Sequence, residues 1–136
     1  MPHVIIEYSA NVADHHDIDA LVEVVHDAAV ASGIAARPSL RTRAVARTHY
    51  RVADGDPASA MIAMVARIGP GRDIATKRAL ATEILDAAEA HTAGESSTLV
   101  IAWSSEVQEI DADSRVNRNH VADAMAARTA ADRGAS

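Results

Sequence analysis

Two successive segments of the chain follow the order strand, helix, strand, and this repeat restricts the fold more than any other feature. In the first segment, the β-branched run 3–8 predicts a strand and Asp17 predicts the cap of a helix. Apolar residues then follow helical spacing, and Gly33 stands where a left-handed residue would end that helix. An extended stretch, 40–52, predicts the second strand of this unit.

The second segment repeats the plan. The run 60–65 is apolar at every position, as in a central strand, and Asp73 can cap a helix that Gly94 ends. The run 98–103 then predicts the last long strand. Asp54-Gly55, between the two segments, is a tight-turn signal that predicts a hairpin.

Together, the segments predict an α/β (α+β) fold, a mixed four-stranded sheet with two helices on one face. The opposite face would be apolar and uncovered, which favours a homo-oligomer. The length of 136 residues fits one domain. After Asp111 the pattern loosens, and the last residues are either a short helix that packs on a neighbour or a frayed end.

Composition excludes several classes of protein. The chain has no cysteine, so disulfides, thiolate metal sites and a thiol nucleophile are ruled out. Aromatic residues make up 2% and the formal net charge is −6, which together argue against nucleic-acid binding. No apolar run approaches the ~18 residues of a membrane span, and no secretion signal is visible. We therefore expect a soluble cytoplasmic protein without a membrane partner.

Pro2 is the first candidate for chemistry. An initiator Met is normally removed when the next residue is small, which would expose a prolyl secondary amine. An α-amino group titrates near ~7.7–8.0, and burial or nearby cations would lower its pKa further, so it could act as a base at neutral pH. The alternative is that a proline at this position has no role at all.

Arginines are concentrated in one segment of this acidic chain. Five of them stand at odd positions and would share one face of an extended strand: Arg37, Arg41, Arg43, Arg47 and Arg51. Guanidinium groups bind carboxylates and phosphates through paired hydrogen bonds, so the cluster favours an anionic ligand. A solvated edge with Arg–Glu pairs explains the same pattern, most readily for Arg47 and Arg51.

Arg72 follows a Gly-Pro-Gly turn and precedes the predicted second helix. A helix N-terminus offers unpaired N–H groups to an anion, but the loop lacks the length and the Lys-Ser/Thr ending of a P-loop. The seven histidines show no ligand spacing, so we expect no metal. Lys77, the only lysine, lies on a polar helix face where solvation is the expected state.

Motifs along almost the whole chain resemble one family. They are Pro2-His3-x-x-x-Glu7-x-Ser9-x-Asn11, Gly33-Ile34, Leu40-Arg41-x-Arg43, Ala53-Asp54-Gly55 and Ile68-Gly69-x-Gly71-Arg72, with weaker agreement at Ser104-x-Glu106 and Asn119. In order and spacing they are similar to 5-carboxymethyl-2-hydroxymuconate isomerase, of the tautomerase superfamily. The resemblance predicts one tautomerase-like domain over 1–121 and a C-terminal tail over 122–136.

The resemblance implies a cofactor-independent, metal-free isomerase, a homotrimer, that ketonises a dienol in the breakdown of homoprotocatechuate, a product of 4-hydroxyphenylacetate. By position, Pro2 matches the catalytic base, and Arg41 and Arg72 match arginines implicated in catalysis and substrate binding. Arg43 belongs to the same motif and is carried over as a substrate-binding residue.

These cations would bind a polycarboxylate substrate, stabilise the enolate and keep Pro2 neutral. Two alternatives stay open. One is another tautomerase-superfamily activity, such as dehalogenation or tautomerisation of a different 2-hydroxydienoate. The other is a non-catalytic trimer that binds anions. The absence of Phe and the length of the tail depart from the family and bear on the substrate rather than the fold.

Overall fold

Two strand–helix–strand units lie side by side in the structure, a computed structural model that describes residues 2–135. The elements in chain order are β1 (His3–Ser9), α1 (Ile18–Ala31), β2 (Arg41–Arg47), β3 (Ser59–Ile68), α2 (Ile74–Ala93), β4 (Val100–Glu109) and α3 (His120–Ala135), with short 3-10 helices at Ala10–Asp14 and Arg37–Ser39.

The sheet has the strand order β2-β1-β3-β4. β1 and β2 are parallel, as are β3 and β4, because each pair is joined through a helix. β1 and β3 are antiparallel and form the centre of the sheet. The predicted mixed four-stranded sheet built from two βαβ units is confirmed.

The predicted hairpin at Asp54-Gly55 is wrong. The segment does turn, with the Gly55 amide donating to the Val52 carbonyl at 2.8 Å, but β1 lies between the strands it connects. The preceding strand also ends at Arg47 rather than at Val52, because its partner β1 ends at Ser9. A local turn signal reports the turn and not which strands pair.

The last strand is longer than predicted. β4 continues to Glu109, because it pairs residue by residue with β3 from Ser59↔Val100 to Ile68↔Glu109. Its second half is mostly polar, but its residues up to Gln108 alternate between exposed and partly buried, which is the pattern of a strand with one exposed face. The predicted strand stops where the continuous apolar run stops, and so misses this half.

Both helices begin where their caps predict. The Asp17 carboxylate accepts from the Ala20 amide at 3.0 Å, and the Asp73 carboxylate accepts from the Thr76 amide at 2.8 Å. Gly33 follows α1 with φ +80°, the left-handed conformation expected just after a helix.

The core lies between one face of the sheet and the two long helices, which also pack against each other. Alternate strand residues are fully buried on that face, and apolar residues of α1 and α2 cover them. The main contributors are Val4, Ile6, Leu21, Val25, Ile62, Met64, Ile68, Leu80 and Ile84. The prediction of two helices on one face is confirmed.

The other face of the sheet, called here the open face, has no element of the same chain across its centre. Ile5 and Val65 are paired at its centre, and Val45, beside Glu7 on the edge strand β2, is 39% exposed. Charged side chains stand at the margins, including Arg41 and Arg67 at one end. The prediction of an apolar face is therefore wrong in part, because the strands alternate inward apolar residues with charged as well as apolar outward ones.

α3 begins at His120, and no residue of it within the described chain is buried. Asn119 tethers its start: the Asn119 amide group donates to the Pro38 carbonyl at 2.8 Å, and its oxygen accepts from the Ala122 amide at 3.1 Å. Among residues 2–135, no helix is long and apolar enough to cross a membrane.

Candidate active site

A small pocket of about 200 Å³ lies where the start of β1 meets the ends of two other segments. Pro2 precedes β1, and the loop after α1 and the turn between β3 and α2 supply the other walls. The lining residues are Pro2, Ile34, Ala36, Ser39, Ile68, Gly69 and Arg72. The pocket combines a half-buried proline with an apolar wall and one guanidinium group.

The fold positions Arg72 at this pocket in two ways. Gly71 has φ +113°, a conformation that L side chains rarely adopt, and so allows the turn that brings Arg72 to the pocket. The Arg72 guanidinium then donates to the Ile34 carbonyl at 3.2 Å. One of its five N–H groups is occupied, so the others can face an anion.

Arg41 is hydrogen-bonded to Pro2 through backbone atoms. The Arg41 amide donates to the Pro2 carbonyl at 3.3 Å. The Arg41 side chain lines a different and larger cavity, of about 640 Å³, which begins at His3. Pro2 and His3 point to opposite faces because they are consecutive in an extended chain, so the two cavities adjoin the start of β1 from opposite sides.

The remaining arginines of the odd-numbered series have several roles. Arg43 donates to His3 Nδ1 at 3.1 Å on the open face. Arg47 pairs with Glu7 at 3.0 Å on the edge of the sheet, which is the solvated Arg–Glu alternative raised above. Arg37 and Arg51 lie outside β2, so the prediction that all five share one strand face is wrong.

Burial lowers the pKa of His3, and the guanidinium groups of Arg43, Arg41 and Arg67 lower that pKa further. Because Arg43 can only donate, His3 Nδ1 is the acceptor and the ring proton of neutral His3 lies on Nε2. His3 therefore reports a positive electrostatic potential at the start of the open face.

Some residues of the shared motifs hold the fold together rather than the pocket. The buried Ser9 hydroxyl donates to Asn11 at 2.7 Å and accepts from the Met61 amide at 2.9 Å. The Asn11 amide group donates to the Ser59 carbonyl at 3.0 Å. These bonds tie the end of β1 to the start of β3.

Lys77 and the histidines lie away from the pocket. Lys77 forms an ion pair with Glu109 and is largely covered, so the expectation of a solvated lysine is wrong. His16 and His91 both contact Glu95, at 3.0 Å each. In the part of the chain that the structure describes, no group of His, Asp and Glu side chains is arranged to hold a metal ion.

The sequence prediction missed most of the larger cavity. Its walls come from His3, from Arg67 at the end of β3, and from the loop after β4, which also supplies Arg115 and Arg118. Arg67 stands in an alternating strand, and the loop shows only as a polar stretch. Neither pattern indicates that these residues converge.

Comparison with known proteins shows the family of the chain. A family model described as 5-carboxymethyl-2-hydroxymuconate isomerase matches residues 2–125. The 5-carboxymethyl-2-hydroxymuconate Delta-isomerase of Escherichia coli is 26% identical over 121 residues, which cover 89% of this chain and 96% of that protein.

Solved structures share the fold. A crystal structure of a 5-carboxymethyl-2-hydroxymuconate delta-isomerase superposes with a TM-score of 0.81 at 21% identity, covering 92% of this chain and 93% of the other. A fused 4-OT, solved as a symmetric trimer, superposes with a TM-score of 0.65 at 18% identity, covering 86% and 92%. With the family model matched from Pro2 almost to the end of the chain, this protein belongs to the 5-carboxymethyl-2-hydroxymuconate isomerase family and has the tautomerase fold.

Proposed function

We propose that the protein catalyses the ketonisation of 5-carboxymethyl-2-hydroxymuconate to its 2-oxo isomer, without a cofactor or a metal ion. The family match over residues 2–125 carries this proposal. The pocket at Pro2 supports it, because it offers a candidate base, a cation and an apolar wall to a conjugated acid.

In the proposed mechanism, Pro2 is the catalytic base once Met1 has been removed. The free secondary amine accepts the proton of the substrate's 2-hydroxyl group. The electron pair of that O–H bond stays on the oxygen, and the substrate becomes a dienolate. The Pro2 ammonium then returns a proton to C5, which restores the free amine. One group serves both steps, so no second acid or base is required.

The proposed role of the arginines is to stabilise the negative charges of the substrate. Arg72 lies in the Pro2 pocket, and we propose that it stabilises the dienolate oxygen and favours the neutral form of the Pro2 amine. We propose that Arg41 and Arg43 bind substrate carboxylates from the open face, where both side chains stand. A substrate with three carboxylates needs more positive charge than Arg72 supplies alone.

We further propose a cytoplasmic homotrimer that works in 4-hydroxyphenylacetate degradation through homoprotocatechuate. The open face supports an assembly, since its apolar centre is uncovered in the single chain. The size of the Pro2 pocket supports it as well, because about 200 Å³ is below the ~300–1,000 Å³ of ordinary ligand sites, and a neighbouring subunit would enlarge its walls.

The decisive experiment joins the N-terminal mass to turnover. Intact mass spectrometry of the purified protein should show loss of Met1, and the dienol should be consumed, as followed by ultraviolet absorbance. Pro2→Leu should keep Met1, because leucine is too large for its removal, so the nitrogen of position 2 stays an amide; kcat should fall by about 10²–10⁴-fold, the usual contribution of a positioned base.

Three results would contradict the proposal. Retention of Met1 in an active preparation would exclude the amine as base. Normal kcat in Pro2→Leu would do the same. Turnover of a different 2-hydroxydienoate or a haloacrylate, with none of this substrate, would reassign the reaction within the superfamily.

A further inference from the structure

The larger cavity concentrates positive charge that the chain does not neutralise. Four of the residues that line it are arginines: Arg41, Arg67, Arg115 and Arg118. None of the four forms a salt bridge with a carboxylate within residues 2–135. By contrast, Arg37 and Arg47 are each paired with an acidic side chain.

The two acidic residues of the cavity wall are occupied elsewhere. Glu109 is paired with Lys77. Asp111 accepts from the Ser114 hydroxyl at 2.8 Å and from the Asp113 amide at 3.1 Å, and these bonds lower the pKa of Asp111. Asp111 therefore stabilises the loop after β4, and neither carboxylate forms a salt bridge with any of the four arginines within residues 2–135.

The shape of the cavity suits a small ligand. Its volume of about 640 Å³ lies within the ~300–1,000 Å³ typical of ligand sites. Arg115 is partly buried and forms no salt bridge with a carboxylate within residues 2–135. Burial is the main cause that lowers the pKa of His3, and the guanidinium groups of Arg43, Arg41 and Arg67 add to it, which agrees with a positive potential in the cavity.

We propose that this cavity binds the carboxylate groups of a small polycarboxylate, and that Arg67 and Arg115 determine the preference for polycarboxylates over monocarboxylates. The identity of the ligand rests on the proposed function, since the proposed substrate carries three carboxylates, whereas the existence of the site rests on the cavity itself. Each arginine can hold one carboxylate through two parallel hydrogen bonds. Two arginines from different elements therefore fix the separation of the carboxylates that they accept.

Binding can be measured without turnover. Tricarballylate, a saturated tricarboxylate that cannot ketonise, is titrated into the full chain while the ring signals of the histidines are followed by NMR. The His3 signal is assigned by its loss in His3→Gln. We expect a saturable shift of His3 and a rise in its pKa, because the bound anion offsets the surrounding guanidinium charge. Acetate should bind at least about tenfold more weakly.

Two arginine variants test whether tricarballylate binds in this cavity. Arg67→Ala and Arg115→Ala should each weaken tricarballylate binding by about tenfold or more. Arg78→Ala, which removes an exposed arginine from α2, is the matched control and should bind as the unmodified protein does. In turnover, the first two variants should raise KM by a similar factor while kcat stays within about threefold.

The outcomes separate this proposal from the proposed function. No saturable shift of His3, or a shift that both variants leave unchanged, would overturn the site. An unchanged KM in both variants, measured with active enzyme, would show that the site does not bind the substrate. Tricarballylate binding in a protein that never turns over the dienol would support the site and contradict the proposed reaction instead.

Discussion

At the scale of the residue, Arg72 is the cation that the chain places in the pocket of Pro2. Its hydrogen bond to Ile34 holds the guanidinium there without neutralising it, since the partner is a carbonyl. A fixed cation of this kind stabilises charge that appears only during the reaction, and it needs no rearrangement to do so. Arg72 is therefore the side chain at which the proposed mechanism is most easily tested.

We expect Arg72→Ala to lower kcat/KM by about 10²–10³-fold, the usual loss when one donor to a developing oxyanion is removed. Arg72→Lys should recover only part of that loss, because an ammonium group keeps the charge but not the paired geometry. Steady-state kinetics by ultraviolet absorbance provides the measurement, with Arg78→Ala as control. Activity within threefold of normal in Arg72→Ala would remove this residue from the site.

At the scale of the element, Glu95 joins the end of α2 to the start of α1. Its carboxylate accepts from the Asp17 amide at 3.0 Å and contacts His16 at 3.0 Å. The Asp17 amide is the main cause that lowers the pKa of Glu95, and the bond to His16 adds to it. The ionised form is therefore favoured by folding.

This shift makes stability depend on pH in a defined direction. The contribution of Glu95 to the free energy of unfolding is complete above the ordinary pKa of a glutamate. It is lost as the pH falls through the lowered pKa that Glu95 has in the folded protein. We expect Glu95→Gln to reduce the free energy of unfolding at pH 7 and to flatten its decline between about pH 5 and pH 3. Urea unfolding at several pH values measures this. Glu89→Gln, at an exposed position of α2, should keep the normal decline.

The helix α3 contributes little to the core, and we propose that the tautomerase-like domain spans 1–121. No α3 residue is buried, and the family model ends at residue 125. A chain that ends after Met125 should keep its free energy of unfolding within about 0.5 kcal/mol. Chemical denaturation and sedimentation provide the measurements. A larger loss, or a change in assembly, would mean that α3 packs on a neighbouring subunit.

At the scale of the whole molecule, the open face is where one chain would meet another. Val65 stands in its apolar centre, between Ile5 and Glu106 in the register of the strands. Burying an unpaired charge there costs several kcal/mol, and each 1.4 kcal/mol is tenfold in an equilibrium. We expect Val65→Glu to weaken self-association by about 10²-fold or more, as measured by analytical ultracentrifugation.

Ala90→Glu is the matched control, since Ala90 is exposed on α2 and the same charge is added on the helix side. It should leave the assembly unchanged. If the Val65→Glu variant self-associates as strongly as the control, the open face is not the interface. The proposed homotrimer would then have to form through the helices or through α3.

Much of this architecture followed from local patterns. The caps at Asp17 and Asp73 and the left-handed Gly33 are decided within a few residues, so the helices began and ended where predicted. The pairing of strands was different, because a turn signal such as Asp54-Gly55 contains no information about a third strand that enters between its neighbours. The length of β4 likewise depended on its partner β3.

The candidate site likewise has one part that local sequence patterns predict and another part that they do not. Pro2 and Arg72 could be predicted as candidates from local sequence, because one stands near the start of the chain and the other at the entry to a helix. Folding brings them into one pocket and places Arg41 on the other side of the strand end. It alone gathered Arg67 and Arg115 beside His3, since residues far apart in sequence meet only when the sheet and its loops close.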